Sequence, residues 1–130
     1  MATRTCSHGD IAVIVDISNG EQLRYSVRFR GDRAVFTLVN KQGTILLSQT
    51  SAPGLAGPWE LLWPASTPLT TLPAEFTHTI GLHFLAAAEY VYRVTKEDPA
   101  GTTIAVVKDC TYASNAANDV FFEPLSVFVK

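Results

Sequence analysis

Charged residues are scarce in this chain: Asp, Glu, Lys and Arg make up 17% of its 130 residues, compared with roughly 25% in an average globular protein. A fraction this low excludes intrinsic disorder, long coiled coils and charged tails. The 10 basic residues are outnumbered by 12 acidic ones, and the net charge is -2. Binding to nucleic acid through bulk positive charge is therefore not expected.

Long apolar runs are also absent. No stretch approaches the roughly 20 apolar residues of a membrane-spanning helix, and no signal-peptide core follows Arg4 near the start of the chain. We therefore expect a soluble, cytoplasmic protein with no membrane contact. A chain of 130 residues fits one domain. Residues 1–9 are predicted to form a flexible N-terminal arm, and residues 10–130 a single folded domain.

Cysteine occurs only twice, at Cys6 and Cys110. A disulfide between them requires a fold that brings the N-terminal arm beside the segment around Cys110, which the sequence cannot establish. In the expected cytoplasmic setting, two reduced thiols are the prediction.

The short motifs of common enzymes are missing as well. The chain contains no Gly-x-Ser-x-Gly, no glycine-rich phosphate loop and no His-Glu-x-x-His, so neither catalysis nor a cofactor is expected. His78 and His83 lie on opposite faces of a regular strand, and two ligands of one metal ion must face the same side. We predict no metal site, with His78 in the core and His83 at the surface.

What the sequence does contain is alternation with a period of two. In residues 21–30, Leu23, Tyr25, Val27 and Phe29 alternate with polar residues, which is typical of a strand with one buried face. The tract at 18–20 has the glycine that a tight turn requires, so we predict a hairpin with the preceding strand. Four strands joined by short turns within the first 48 residues indicate an antiparallel meander.

Eight strand candidates follow one another at spacings of about ten residues, without an amphipathic helix. This pattern favours an all-β fold, an antiparallel β-sandwich of the jelly-roll or Ig-like kind. A small closed β-barrel is the alternative. The predicted inward residues are Val13, Val15, Leu23, Val27, Phe29, Phe36, Leu38, Ile80, Leu82, Phe84, Tyr90, Tyr92, Ile104, Val106 and Phe122.

A long proline-rich connection at 49–73 separates the two groups of strands. Its prolines leave room for one short element, at Trp59–Trp63. Whether that element is extended or one helical turn, Trp59 and Trp63 fall on the same side. The two indoles form either a stacking platform for a sugar or a cap on the core. Connections of this length are often functional.

The segment 110–119 is rich in oxygen and amide groups, which suit a sugar or a hard cation. It lacks the regular spacing of a calcium loop. Its polar side chains also suit a turn in which they bond their own backbone. The residues of interest are Tyr112, Asn115, Asn118 and Asp119.

A local basic stripe lies in and just after the best strand. It consists of Arg24, Arg28, Arg30 and Arg33. The stripe is predicted to be a solvated sheet face that pairs with acids such as Glu21 or Glu123, or that meets an acidic partner.

The sequence therefore predicts a non-catalytic binding module that recognises a partner protein or a carbohydrate through its loops, because binding residues concentrate on loops held by a rigid sheet. The predicted ligand-binding residues are Trp59, Trp63, Tyr112, Asn115, Asn118 and Asp119. One alternative is a self-assembling structural protomer, a homo-oligomer favoured by low charge and open strand edges. The other is a small β-barrel enzyme with a pocket near His78.

Overall fold

Alternating apolar and polar residues produce strands throughout the computed structural model. It describes residues 3–9, 13–18, 20–31, 34–40, 45–50, 57–64, 72, 74–114 and 118–130, with the backbone alone for 31, 34–36, 38–40, 49 and 50. The strands are β1 (Thr3–His8), β2 (Val13–Ile17), β3 (Gln22–Gly31), β4 (Ala34–Asn40), β5 (Ile45–Thr50), β6 (Trp59–Trp63), β7 (Glu75–Phe84), β8 (Ala88–Glu97), β9 (Thr103–Ser114) and β10 (Val120–Val129). In these ranges there is no helix long and apolar enough to cross a membrane.

The strands form two sheets of five. Sheet A has the order β1-β9-β8-β3-β6, and sheet B has the order β2-β10-β7-β4-β5. Strands β1, β6, β2 and β5 are edge strands with one neighbour each, so neither sheet closes on itself. The predicted β-sandwich is confirmed, and the closed barrel is wrong. The structure is antiparallel except for one parallel pair, β2 with β10.

The predicted meander of the first four strands is wrong. Gly20 has a φ of 84°, as expected for the turn, but β2 lies in sheet B and β3 in sheet A. The chain then returns to sheet B at β4, which pairs with β5. A turn signal does not specify whether its flanking strands pair side by side or stack across a core, because both arrangements bury one face of each strand.

The N-terminal segment is a strand and not an arm. β1 pairs with β9 in a register that places Cys6 opposite Cys110, and the two residues form a disulfide. The prediction of two reduced thiols is therefore wrong. Disulfides persist mainly in oxidising compartments, so this pair weighs against the cytoplasmic location, which stays a prediction.

The core lies between the two sheets and contains most of the predicted inward residues. The buried ones are Val15, Leu23, Val27, Phe29, Ile80, Leu82, Phe84, Tyr90 and Tyr92. Val13 and Val106 are half-buried, and the side chains at 36 and 38 lie outside the described set. Residues predicted from alternation alone are thus mostly confirmed.

Two of the predicted inward residues point outward instead. Ile104 is 52% exposed because it lies at the end of β9, where residues 103–105 are all exposed. Phe122 is 70% exposed because Leu125 and Val127 set the buried parity of β10. Every second residue of a strand faces the same side, so Phe122 must face outward.

Candidate functional site

The two tryptophans lie on β6, the edge strand of sheet A, and both are half-buried against the core. The ring of Trp63 lies 4.7 Å from the ring of His78 and 4.9 Å from that of Phe76, both edge to face. Trp59 and Trp63 share one side, as predicted, but that side is the interior. They therefore cap the core and do not form an exposed stacking platform.

The polar segment before β10 does not assemble the predicted ligand set. Tyr112 is fully buried in the inner face of sheet A. Asp119 accepts a hydrogen bond from the Ser114 hydroxyl, and Asn118 occupies a left-handed turn position with a φ of 69°. Asn115 lies outside the described residues. The described members serve the core and the turn, which is the alternative that the residue types left open.

His78 is buried in the core, and it does not line any of the three cavities described below. Its Nδ1 shares a short hydrogen bond with the Tyr25 hydroxyl, and its Nε2 has no hydrogen-bond partner within the described part of the chain. Burial lowers the pKa of His78 from its ordinary 6.5 to about 4. The imidazole of His78 is therefore neutral at pH 7. His83, which was predicted at the surface, is half-buried on the outer face of sheet B.

A buried ion triplet joins the two sheets. The Nζ of Lys108 lies 3.1 Å from Oε2 of Glu123, and the two side chains are 1% and 4% exposed. Arg4 of β1 also binds Glu123 through its Nε. The prediction that Glu123 pairs with the arginine stripe at the surface is wrong. Glu123 lies two residues before Leu125 on β10, so the two side chains face the same buried side, and this spacing is the sequence signal for its position.

The outer face of sheet A carries a cluster of charged side chains. Arg24 binds Glu60 and Glu97 at 2.6 Å each, and the hydrogen bond that Arg24 donates to Glu97 is the main cause that raises the pKa of Arg24. The predicted Glu21 partner instead binds Lys96 at 3.2 Å. Arg33 lies outside the described residues.

A groove follows β3 across this outer face. One part, of about 290 Å³, is lined by Arg24, Ser26, Glu60, Arg93, Thr95, Glu97 and Thr103. The second part, of about 470 Å³, is lined by Ser26, Arg28, Arg30, Pro58, Glu60, Val91 and Arg93. The two parts share Ser26, Glu60 and Arg93, so they are continuous.

The outer face of sheet B is different in chemistry. Four of the large apolar residues that are more than a third exposed lie on it: Ile14, Ile45, Val120 and Phe122. The strand register surrounds them with small uncharged residues, among them Thr37, Ser48, Thr77, Thr79, Gly81, Pro124 and Ser126. Asp16 and Glu75 are charged, but both lie opposite Phe128 at one end of the sheet.

The ring of Phe122 leans across Gly81 on this face. A Cβ atom at Gly81 would lie 3.0 Å from Cε1 of that ring, so a larger residue at this position would require the ring to move. Beside the ring is a shallow cavity of about 250 Å³, lined by Thr37, Gly81, Leu82, His83, Val120 and Phe122. This surface was not predicted from the sequence, because Phe122 was expected to face the core.

No protein-family model matches the chain, and no curated protein resembles it significantly in sequence.

Proposed function

We propose that this chain is a non-catalytic binding module that associates with a second copy of itself through the outer face of sheet B. The exposed Phe122 beside an unfilled cavity on an uncharged sheet face is the observation that carries this proposal. Val120 and Phe122, two residues apart on β10, form an exposed apolar patch, and such patches are typical of association sites in soluble proteins.

A second copy suits this face better than a different, charged partner. The central part of the face has no Asp, Glu, Lys or Arg among its described outward side chains. Two copies therefore meet without like-charge repulsion, whereas an acidic or basic partner finds no counter-charge there.

The face also has the self-complementary form that a two-fold contact requires. In such an interface each residue of one copy contacts the matching patch of the other. The ring of Phe122 lies over Gly81, and the cavity beside the ring is lined by Thr37 and His83 on the same surface. A two-fold axis near this cavity places each copy's ring against the cavity of the other.

The area is sufficient for a dimer of standard type. Five strands about 4.8 Å apart, with four outward rows about 6.8 Å apart, give a face of roughly 600 Å². Two such faces bury roughly 1,200 Å², the lower end of the range for stable protein complexes.

Sedimentation velocity from about 1 µM to about 500 µM tests the proposal. The wild-type protein is expected to shift from monomer to dimer across this range. Phe122→Glu is expected to weaken association by about 2 kcal/mol or more, because it buries a charge at the centre of the contact.

Ile104→Glu is the matched control. Like Phe122, Ile104 is a large exposed apolar residue, 52% exposed, but it lies on β9 in sheet A. This variant should associate like the wild type. A wild-type protein that stays monomeric at every concentration, or a Phe122→Glu variant that associates as strongly as the wild type, contradicts the proposal.

A further inference from the structure

The arginine groove on the outer face of sheet A has unequal charge along its length. In the part around Arg24 the guanidinium is held by two carboxylates at 2.6 Å. In the part around Arg28 the lining contains three arginines and one glutamate, and that glutamate, Glu60, is the one that Arg24 already binds. The Arg28 end is therefore the electropositive end.

The three arginines at this end have weak counter-charges. Arg30 is 85% exposed and lies 4.0 Å from Glu89, and Arg93 lies 3.7 Å from Asp109. Arg28 has no carboxylate partner in the part of the chain that the structure describes. A surface that gathers arginines without firm internal partners is suited to an external anion.

The strand register sets the spacing of the three arginines at their Cβ atoms. Arg28 lies opposite Val91 and Ser26 opposite Arg93, so Arg28 and Arg93 are diagonal neighbours about 7 Å apart at Cβ. Arg28 and Arg30 are two residues apart on β3, which is also about 7 Å. Side chains of an extended peptide that share one face repeat at this same distance.

We propose that the Arg28 end of the groove binds an extended acidic segment of another protein, with carboxylates at alternate positions. Each carboxylate pairs with one of the three guanidinium groups, and the peptide backbone rests on Val91 and Pro58 along the groove. This site is independent of the proposed self-association, because the groove lies on the opposite sheet.

The alternation is what distinguishes a peptide from other anions. An extended chain presents every second side chain to the groove, so the sequence Glu-x-Glu-x-Glu places each acid over the arginine row. The same three acids in consecutive positions present at most two of their charges to it.

Fluorescence anisotropy with a labelled Glu-Thr-Glu-Thr-Glu-Thr peptide tests this site, with Glu-Glu-Glu-Thr-Thr-Thr as the composition-matched probe. The alternating peptide is expected to bind more tightly than the block peptide. Its affinity should fall with added salt. Arg28→Gln and Arg93→Gln should each weaken its binding by about fivefold.

Lys130→Gln is the control for the loss of one positive charge. Lys130 directly follows β10 and is exposed beside Asp16, and its replacement should leave peptide binding unchanged. Near-UV circular dichroism verifies that each variant is folded.

Three outcomes overturn the proposal. The first is that Arg28→Gln and Arg93→Gln weaken binding no more than Lys130→Gln does. The second is equal affinity for the two peptides. The third is tighter binding of a heparin hexasaccharide than of the alternating peptide, which assigns the groove to sulfated glycans.

Discussion

At the scale of single residues, His78 is the group whose chemistry the fold changes most. Its ring packs between those of Tyr25 and Trp63 at the middle of the sandwich, and burial lowers its pKa to about 4. In the unfolded chain the same histidine has a pKa near 6.5. The folded state therefore prefers the neutral imidazole, and the unfolded state takes up a proton more readily.

This difference makes stability depend on pH in a defined window. Between pH 6.5 and pH 4 the unfolded chain binds one more proton at His78 than the folded chain, so stability falls as the pH falls. The expected loss from this residue between pH 7 and pH 4 is about 3 kcal/mol. Urea unfolding of the wild type and of His78→Gln at both pH values measures it.

The glutamine variant cannot titrate but keeps a polar group for the Tyr25 hydroxyl. We expect it to be less stable than the wild type at pH 7 and to lose about 3 kcal/mol less on acidification. His83→Gln, the same substitution outside the core, is the control for the replacement of an imidazole by an amide. Equal pH dependence of His78→Gln and wild type would show that the pKa of His78 is the same in the folded and unfolded states, which contradicts this prediction.

Residue positions were predictable where alternation alone decides them. The alternation of β7 places His78 on the same face as Ile80, and the structure confirms this. Glu123 follows the same rule on β10, but a buried charge is stable only with partners. Its partner Arg4 is 119 residues away in sequence, and a single sequence does not show such a pair.

At the scale of elements, β1 depends on a covalent link as well as on pairing. It is an edge strand whose neighbour in sheet A is β9. The disulfide of Cys6 with Cys110 adds a covalent connection to β9 and closes a loop with a sequence separation of 104. A link that closes so long a loop removes much of the conformational freedom of the unfolded chain.

Reduction of the disulfide is expected to lower the free energy of unfolding by about 4 kcal/mol. Amide protons of β1 should exchange first, because an edge strand is held by one neighbour only. Urea unfolding with and without reductant measures the global loss, and hydrogen exchange measures the local one. In a Cys6→Ser and Cys110→Ser double variant the reductant should have no effect.

An unchanged urea midpoint on reduction, together with unchanged exchange in β1, contradicts this account. It would mean that the hydrogen bonds to β9 and the contacts of Arg4 with Glu123 hold β1 on their own.

Strands were more predictable than their partners. The period-two pattern identifies β3 and β7 because each buries one face. The assignment of strands to sheets is a different matter, since β2 and β3 are adjacent in sequence but lie in opposite sheets. Both arrangements satisfy the same hydrophobic pattern, and only the packing of the whole set selects one.

At the scale of the whole molecule, the sandwich separates two surfaces of opposite character. The charged groove follows β3 on sheet A, and the uncharged face surrounds Phe122 on sheet B. The sequence predicted binding through loops, and that part stays a prediction, because much of the connection at 49–73 and residues 115–117 lie outside the described residues. The arginine stripe was predicted as a sheet face, but the face around Phe122 was not, because its composition is visible only after register and parity are known.

This arrangement makes a dimer bivalent. Two copies joined through sheet B present their grooves on opposite outer sides, so a dimer can hold two peptides at once. On a dense layer of peptide, release of one groove leaves the dimer attached by the other, and rebinding is intramolecular. A monomer has no such second attachment.

Dissociation from a biosensor coated with the alternating acidic peptide tests this bivalency. On a dense coating, wild type at a concentration where it is dimeric should dissociate about tenfold or more slowly than Phe122→Glu. On a sparse coating the two proteins should dissociate equally, because each groove is unchanged by a substitution on the opposite sheet. Ile104→Glu should match the wild type on both coatings. If Phe122→Glu dissociates as slowly as the dimer from the dense coating, the two grooves of one dimer do not act together, and the opposite-face arrangement has no role in binding strength.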